Sequence, residues 1–301
     1  MSDSVRLNTV RPLDTFAICL TVVLCLSWGF NQVSVKLALP DIPPLTQGAI
    51  RSVGAAILVA LWAKWRGVRL FSRDGSLWPG IAAGVLFGLE FILIYRGLLW
   101  TTATRAVLFL YLTPFFVVLG ARWLLPADRF APSQWAGLLL SFAGMVVAFG
   151  LPTPAADPRQ TLGDLMIVVA AIGWAGTTLV IKVTALNRTP YEKAMLYQLV
   201  ISAPMLAAAA AVFQERIVNT PSPVALGALA YQTFWVVPVT FVAWFALIQR
   251  YSASRLSAFT FLTPIFGVLA GYLVLGEPLT PAFLAAVALV TAGLVMVNRV
   301  R

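Results

Sequence analysis

The chain has 301 residues, 60% hydrophobic and only 11% charged, with a mean hydropathy of +0.89. Average soluble chains carry roughly 25% charged residues, so a water-soluble domain is excluded and lipid is the expected solvent for most of the chain. The net charge of +10 comes from Lys and Arg scattered in ones and twos between apolar runs, which argues against a nucleic-acid partner. The absence of His, with two Cys, excludes Cys/His zinc sites, haem ligation and His-based triads.

A helix needs about 20 apolar residues to cross the hydrocarbon layer. Ten segments approach that length, at 14 to 39, 43 to 65, 77 to 99, 103 to 125, 132 to 149, 162 to 186, 191 to 213, 224 to 249, 253 to 275 and 281 to 298. The first thirteen residues contain Arg6, Arg11 and Pro12, and the run that follows has no small-residue cleavage site, so it is expected to be a retained span. Cys19 and Cys25 are six apart, about 240° around that helix, and face apart. Short connections carry turn residues such as Pro40, Pro43, Pro126, Pro132, Gly276 and Pro281, leaving no room for a soluble domain.

Orientation follows from Lys and Arg in the loops. A cytoplasmic N-terminus puts 14 of the 21 basic residues inside, among them Arg6, Arg66, Arg69, Arg122, Arg188, Arg250 and Arg301, and leaves Arg159 and Arg216 outside. Both termini are therefore expected in the cytoplasm.

The longest loop, Gly150 to Thr161, contains Pro152, Pro154 and Pro158 and divides the chain into residues 1–150 and 151–301. The halves match: Ser27-Trp28-Gly29 through Lys36 with Gly173-Trp174-Ala175 through Lys182, Ala103-Thr104-Arg105 with Ala253-Ser254-Arg255, and Leu112-Thr113-Pro114 with Leu262-Thr263-Pro264. Ala127-Asp128 through Pro132 answers Gly276-Glu277 through Pro281, at a nearly constant offset. Five spans per repeat force the second to enter the membrane from the opposite side. The expected fold is an all-α integral membrane protein of ten transmembrane helices in two inverted five-helix repeats, an arrangement of many secondary transporters.

These residues resemble the drug/metabolite transporter superfamily, in the branch built from two EamA-type repeats. The resemblance covers nearly the whole chain and is most specific at Ser27-Trp28-Gly29, at the Leu-Thr-Pro of spans four and nine, and at Leu275-Gly276-Glu277-Pro278-Leu279-Thr280. Similarity to the aromatic amino acid exporters of that superfamily implies export of amino acids across the bacterial inner membrane. The first half reads Pro126-Ala127-Asp128 instead of Gly-Glu, which points to a packing role for this motif.

Charges inside spans cost about 2.5 to 3.5 kcal/mol each and need a partner or a wet cavity. Glu90 has no opposite charge at i±3 or i±4; it is either paired with Arg51 or Lys36, or is a ligand for an ammonium or a proton carrier. Lys36 and Lys182 are repeat mates expected to snorkel, and Arg96 and Arg105 are expected at the interface. Trp62, Trp65, Trp78, Trp100, Trp123 and Trp135 fit an aromatic belt. Trp28, Trp174 and Trp235 lie at mid-depth and either pack or line a cavity.

Asn31 shares a face with Ser27 and Ser34, and Thr177 and Thr178 occupy the matching place in span six. These groups either bond neighbouring helices or orient a polar substrate end. Asn31, Thr177 and Thr178 form the candidate substrate site with Trp28, Phe87, Glu90, Phe91, Trp174 and Trp235, in a cavity between spans one, three, four, six, eight and nine. Pro114 and Pro264 are candidate hinges or fixed kinks. With no Gly-x-x-x-x-Gly-Lys-Ser/Thr loop, transport is expected to run down a gradient or with an ion. The expected function is secondary export of small neutral and aromatic amino acids, with drugs or other metabolites as the alternative cargo. No enzyme activity, cofactor, metal, nucleic acid or obligate protein partner is expected.

Overall fold

The computed structural model describes residues 11–151, 155 and 157–299; Arg6, Pro152, Pro154 and Arg301 lie outside them. Among the described residues, ten helices are long and apolar enough to cross a membrane. Spans one to five are Thr15–Ala38, Pro44–Trp65, Leu77–Gly97, Ala103–Leu124 and Pro132–Phe149; spans six to ten are Pro158–Val183, Tyr191–Val212, Pro223–Arg250, Ala253–Leu275 and Pro281–Asn298. Ten alternating spans leave the start of span one and the end of span ten on one face of the bundle, called the terminal face below.

Local chemistry starts eight of the ten spans where the backbone would otherwise leave N–H groups bare. Asp14, Thr102, Asp157, Ser222 and Ser252 accept from the amides of Ala17, Arg105, Gln160, Ala225 and Arg255. Thr102 and Ser252 are repeat mates, so the two halves start spans four and nine with the same device. Proline opens spans two, five, six, eight and ten, where its missing N–H costs nothing.

The packing repeats with the sequence. Span one packs on spans eight and nine, as span six packs on spans three and four; span two meets span eight as span seven meets span three. Spans two and seven, four and nine, and five and ten pair with their own mates. Three such contacts mark the pseudo-two-fold axis: Ser202 Oγ to Ser52 Oγ at 3.5 Å, the Tyr111 and Phe261 rings at 6.4 Å, and Ser141 Oγ donating to the Val290 carbonyl at 3.4 Å. The core is thus a helix-on-helix interior with the inverted duplication built into it.

Spans four and nine are broken at matched places. Span four divides into Ala103–Leu110 and Thr113–Leu124, and span nine into Ala253–Phe259 and Leu262–Ala270 with a π-helical end, Gly271–Leu275. Pro114 and Pro264 sit in the first turn of the second piece, so each break falls just before the proline. The Leu110 carbonyl is instead taken by the Thr113 hydroxyl at 2.7 Å, and the Thr260 carbonyl by the Thr263 amide at 2.9 Å. Span eight carries its Pro238 within a wide π-helical stretch, Tyr231–Phe241.

Candidate functional site

A continuous run of aromatic rings crosses the interior from span one to span three. Trp28 packs edge-on to Trp244 at 5.3 Å and to Phe241 at 5.8 Å; Phe241 meets Phe87 at 5.9 Å, and Phe87 meets Phe91 at 5.0 Å. The Trp28 indole N–H donates to Thr240 Oγ1 at 2.8 Å, which satisfies its one polar atom inside the bundle. At the far end the Arg51 guanidinium of span two lies 4.3 Å over the Phe91 ring, and Glu90 immediately precedes Phe91 on span three. The structure therefore strings Trp28, Phe87 and Phe91 together, with the buried Glu90 next to Phe91 in the chain.

It does not gather all the residues expected there. Trp174 packs on Tyr111 at 6.2 Å, within a second aromatic group that continues through Phe261, Phe115 and Phe142. Trp235 is 42% exposed beside Phe234 and Val239, and its indole N–H donates to Ser27 Oγ at 3.1 Å. Thr178 donates to the Trp174 carbonyl one turn back, whereas Thr177 Oγ1 and Asn31 Oδ1 are buried without a hydrogen-bond partner. An open groove of about 930 Å³ lies at the terminal face between Ile57, Lys64, Leu70 and Ser72, away from these residues.

Several charges sit differently from their expected places. Lys36 reaches Glu277 at 3.1 Å, so it is not the partner of Glu90. Lys182 does not snorkel: it is 9% exposed and donates to the carbonyls of Ile248 and Tyr251 at 2.7 and 2.8 Å, closing the end of span eight. Asp128 stands near it, accepting from the Ser252 hydroxyl and from the Ser254 amide at 3.1 Å; burial pushes its carboxyl above the usual carboxylate range against those hydrogen bonds. Each lysine thus lies by the acid of the other half's motif, Lys36 by Glu277 and Lys182 by Asp128, at opposite ends of the bundle. Arg105 is buried, not interfacial, and grips Asp164 with Nε at 3.0 and 3.1 Å from its two oxygens. On the terminal face Lys193 donates to Asp74 at 2.9 Å, which holds that carboxyl well below its ordinary range together with hydrogen bonds from Ser76.

Sequence reasoning named Arg51 only as a possible partner for Glu90 and missed Phe241, Trp244, Tyr111 and Asp164. Phe241 was findable, since it stands 150 residues after Phe91.

Comparison with known proteins agrees with this architecture. The model of the EamA-like transporter family matches twice, over residues 15–150 and 161–299. A transporter of uncharacterized role from Archaeoglobus fulgidus is 25% identical over 89% of this chain and 91% of its own length. A Salmonella typhimurium protein named a probable amino-acid metabolite efflux pump is 26% identical over 93% of each. A solved crystal structure superposes with a TM-score of 0.81 at 21% identity, covering 94% of this chain and 96% of its own. With two family repeats filling nearly its whole length and the inverted packing they require, the chain belongs to the EamA-like transporter family.

Proposed function

We propose that this transporter is a secondary exporter of small neutral and aromatic amino acids, working by alternating access in the bacterial inner membrane with both termini cytoplasmic. The aromatic run from Trp28 to Phe91, ending under Arg51 with the buried Glu90 next in the chain, carries the reading. An apolar wall beside a few charged groups suits a cargo whose bulk is a side chain and whose constant part is an ammonium and a carboxylate. The Salmonella relative, named a probable amino-acid metabolite efflux pump, supports the same cargo class.

Purified protein in liposomes preloaded with unlabelled amino acid is expected to accumulate labelled Phe, Trp, Thr or Met by saturable exchange. No exchange of any of the four would overturn the reading. Trp28→Ala is expected to raise the half-saturation for Phe by roughly 5- to 150-fold, from about 1 to 3 kcal/mol of lost contact area, with a smaller rise for Thr. An unchanged value would assign Trp28 to packing alone.

Orientation is tested separately in a Cys19→Ser background, Cys25 being buried. Cysteines at Arg159 and Thr280 should react with an impermeant thiol reagent added to whole cells, and one at Arg69 should not. The reverse pattern would turn the protein over.

A further inference from the structure

Arg51 is 2% exposed, and its Nε and Nη2 are buried without a hydrogen-bond acceptor. Those two nitrogens form one edge of the guanidinium plane, spaced to donate parallel hydrogen bonds to both oxygens of one carboxylate. Glu90, 7% exposed, is the acid that feels the Arg51 charge, yet no hydrogen bond or close ion pair joins them among the described residues. The same bundle shows a settled pair for contrast, since Arg105 has its edge filled by Asp164. Stacking on Phe91 offsets only part of the desolvation of Arg51.

The pseudo-symmetry shows that the frame does not need these charges. At an offset of 150 the mates of Arg51, Glu90 and Phe91 are Ile201, Thr240 and Phe241. The second half keeps the aromatic ring and has neither ion, while Ser52 and Ser202, one residue along, still meet across the axis.

We propose that Arg51 and Glu90 are the two poles of a zwitterion site: the Nε–Nη2 edge takes the α-carboxylate of the cargo and Glu90 takes its α-ammonium. This rests on the amino-acid reading above and names the groups that would recognise what all amino acids share. The two poles sum to zero charge, so a zwitterion gives each a partner and leaves no net charge buried. A cargo with one charge satisfies one pole only. Both nitrogens are sealed from solvent in this arrangement, so the cargo reaches them as the two halves part.

The test is exchange of labelled Phe in liposomes, with unlabelled Phe, phenylethylamine and 3-phenylpropionate as competitors. For the parent, Phe is expected to compete about tenfold or more better than either single-charge analogue. Arg51→Gln should raise the Phe half-saturation by about 30-fold or more, as for a lost charge-assisted double hydrogen bond, and should hurt competition by phenylpropionate more than by phenylethylamine. Glu90→Gln should do the reverse, and Arg51→Lys should fall between parent and Arg51→Gln. If a variant fails to fold, the competitor series on the parent decides. A parent that exchanges Phe but ranks the three competitors alike overturns the zwitterion site and leaves amino-acid export standing, as does an unchanged half-saturation in folded Arg51→Gln and Glu90→Gln. A parent with no exchange overturns both.

Discussion

Lys182→Met is expected to destabilise the folded transporter by about 3 kcal/mol or more, read as a large drop in the thermal unfolding midpoint in detergent. The side chain is buried, and its ammonium serves the last carbonyls of span eight at Ile248 and the connection at Tyr251, with Asp128 in its field. Methionine fills much the same space and donates nothing, so these carbonyls and the acid lose their donor and their charge together. The repeat mate supplies the control. Lys36 is 57% exposed and pairs with a Glu277 that is 47% exposed, so Lys36→Met should cost at most about 1 kcal/mol. Equal effects of the two substitutions would show that the burial of Lys182 is not what matters.

Gly293→Leu is expected to abolish monodisperse protein on size exclusion. Spans five and ten approach until backbone meets backbone: a Cβ on Gly293 would stand 2.3 Å from Ser141 Oγ and 2.4 Å from the Gly137 carbonyl oxygen. A carbonyl in a helix cannot swing aside, so the helices must separate. That also pulls apart the bond from Gln134 Nε2 to the Val297 carbonyl at 2.7 Å. In lipid, helices associate through such close approach of small residues more than through apolar burial, so little remains to hold this pair. Gly227→Ala, where a Cβ meets nothing within 4 Å, should instead be neutral or slightly stabilising. A well-behaved Gly293→Leu protein would mean that the span five and span ten contact is dispensable.

What the sequence made legible and what it hid divide along physical lines. The ten spans follow from the length of apolar runs, which the bilayer dictates, and the inverted repeat follows from motifs recurring at an almost fixed offset. Contacts between distant spans left no such trace. Arg105 looked interfacial because it stands at the start of span four, and its partner Asp164 is 59 residues away at the start of span six. Lys182 looked like a snorkelling lysine because nothing in its own helix reveals that the end of span eight lies against it. Trp28 and Trp174 are sequence mates, but inversion sends each to its own aromatic group, so equal depth in a span did not mean a shared wall. Arg51 was the hardest to read, since its meaning lies in which of its nitrogens lack an acceptor.

The crossed placements of lysine and acid, Lys36 paired with Glu277 and Lys182 in the field of Asp128, are one arrangement drawn twice. A five-helix polypeptide inserted both ways up would make that arrangement with an identical copy of itself, and would find its own mate at Ser52, Tyr111 and Ser141. Such a homodimer must present every side chain twice, once toward each side of the membrane. Joining the copies in one gene frees the halves to differ: one carries Arg51 and Glu90 where the other has Ile201 and Thr240. The cost of two interior charges is then borne once per molecule.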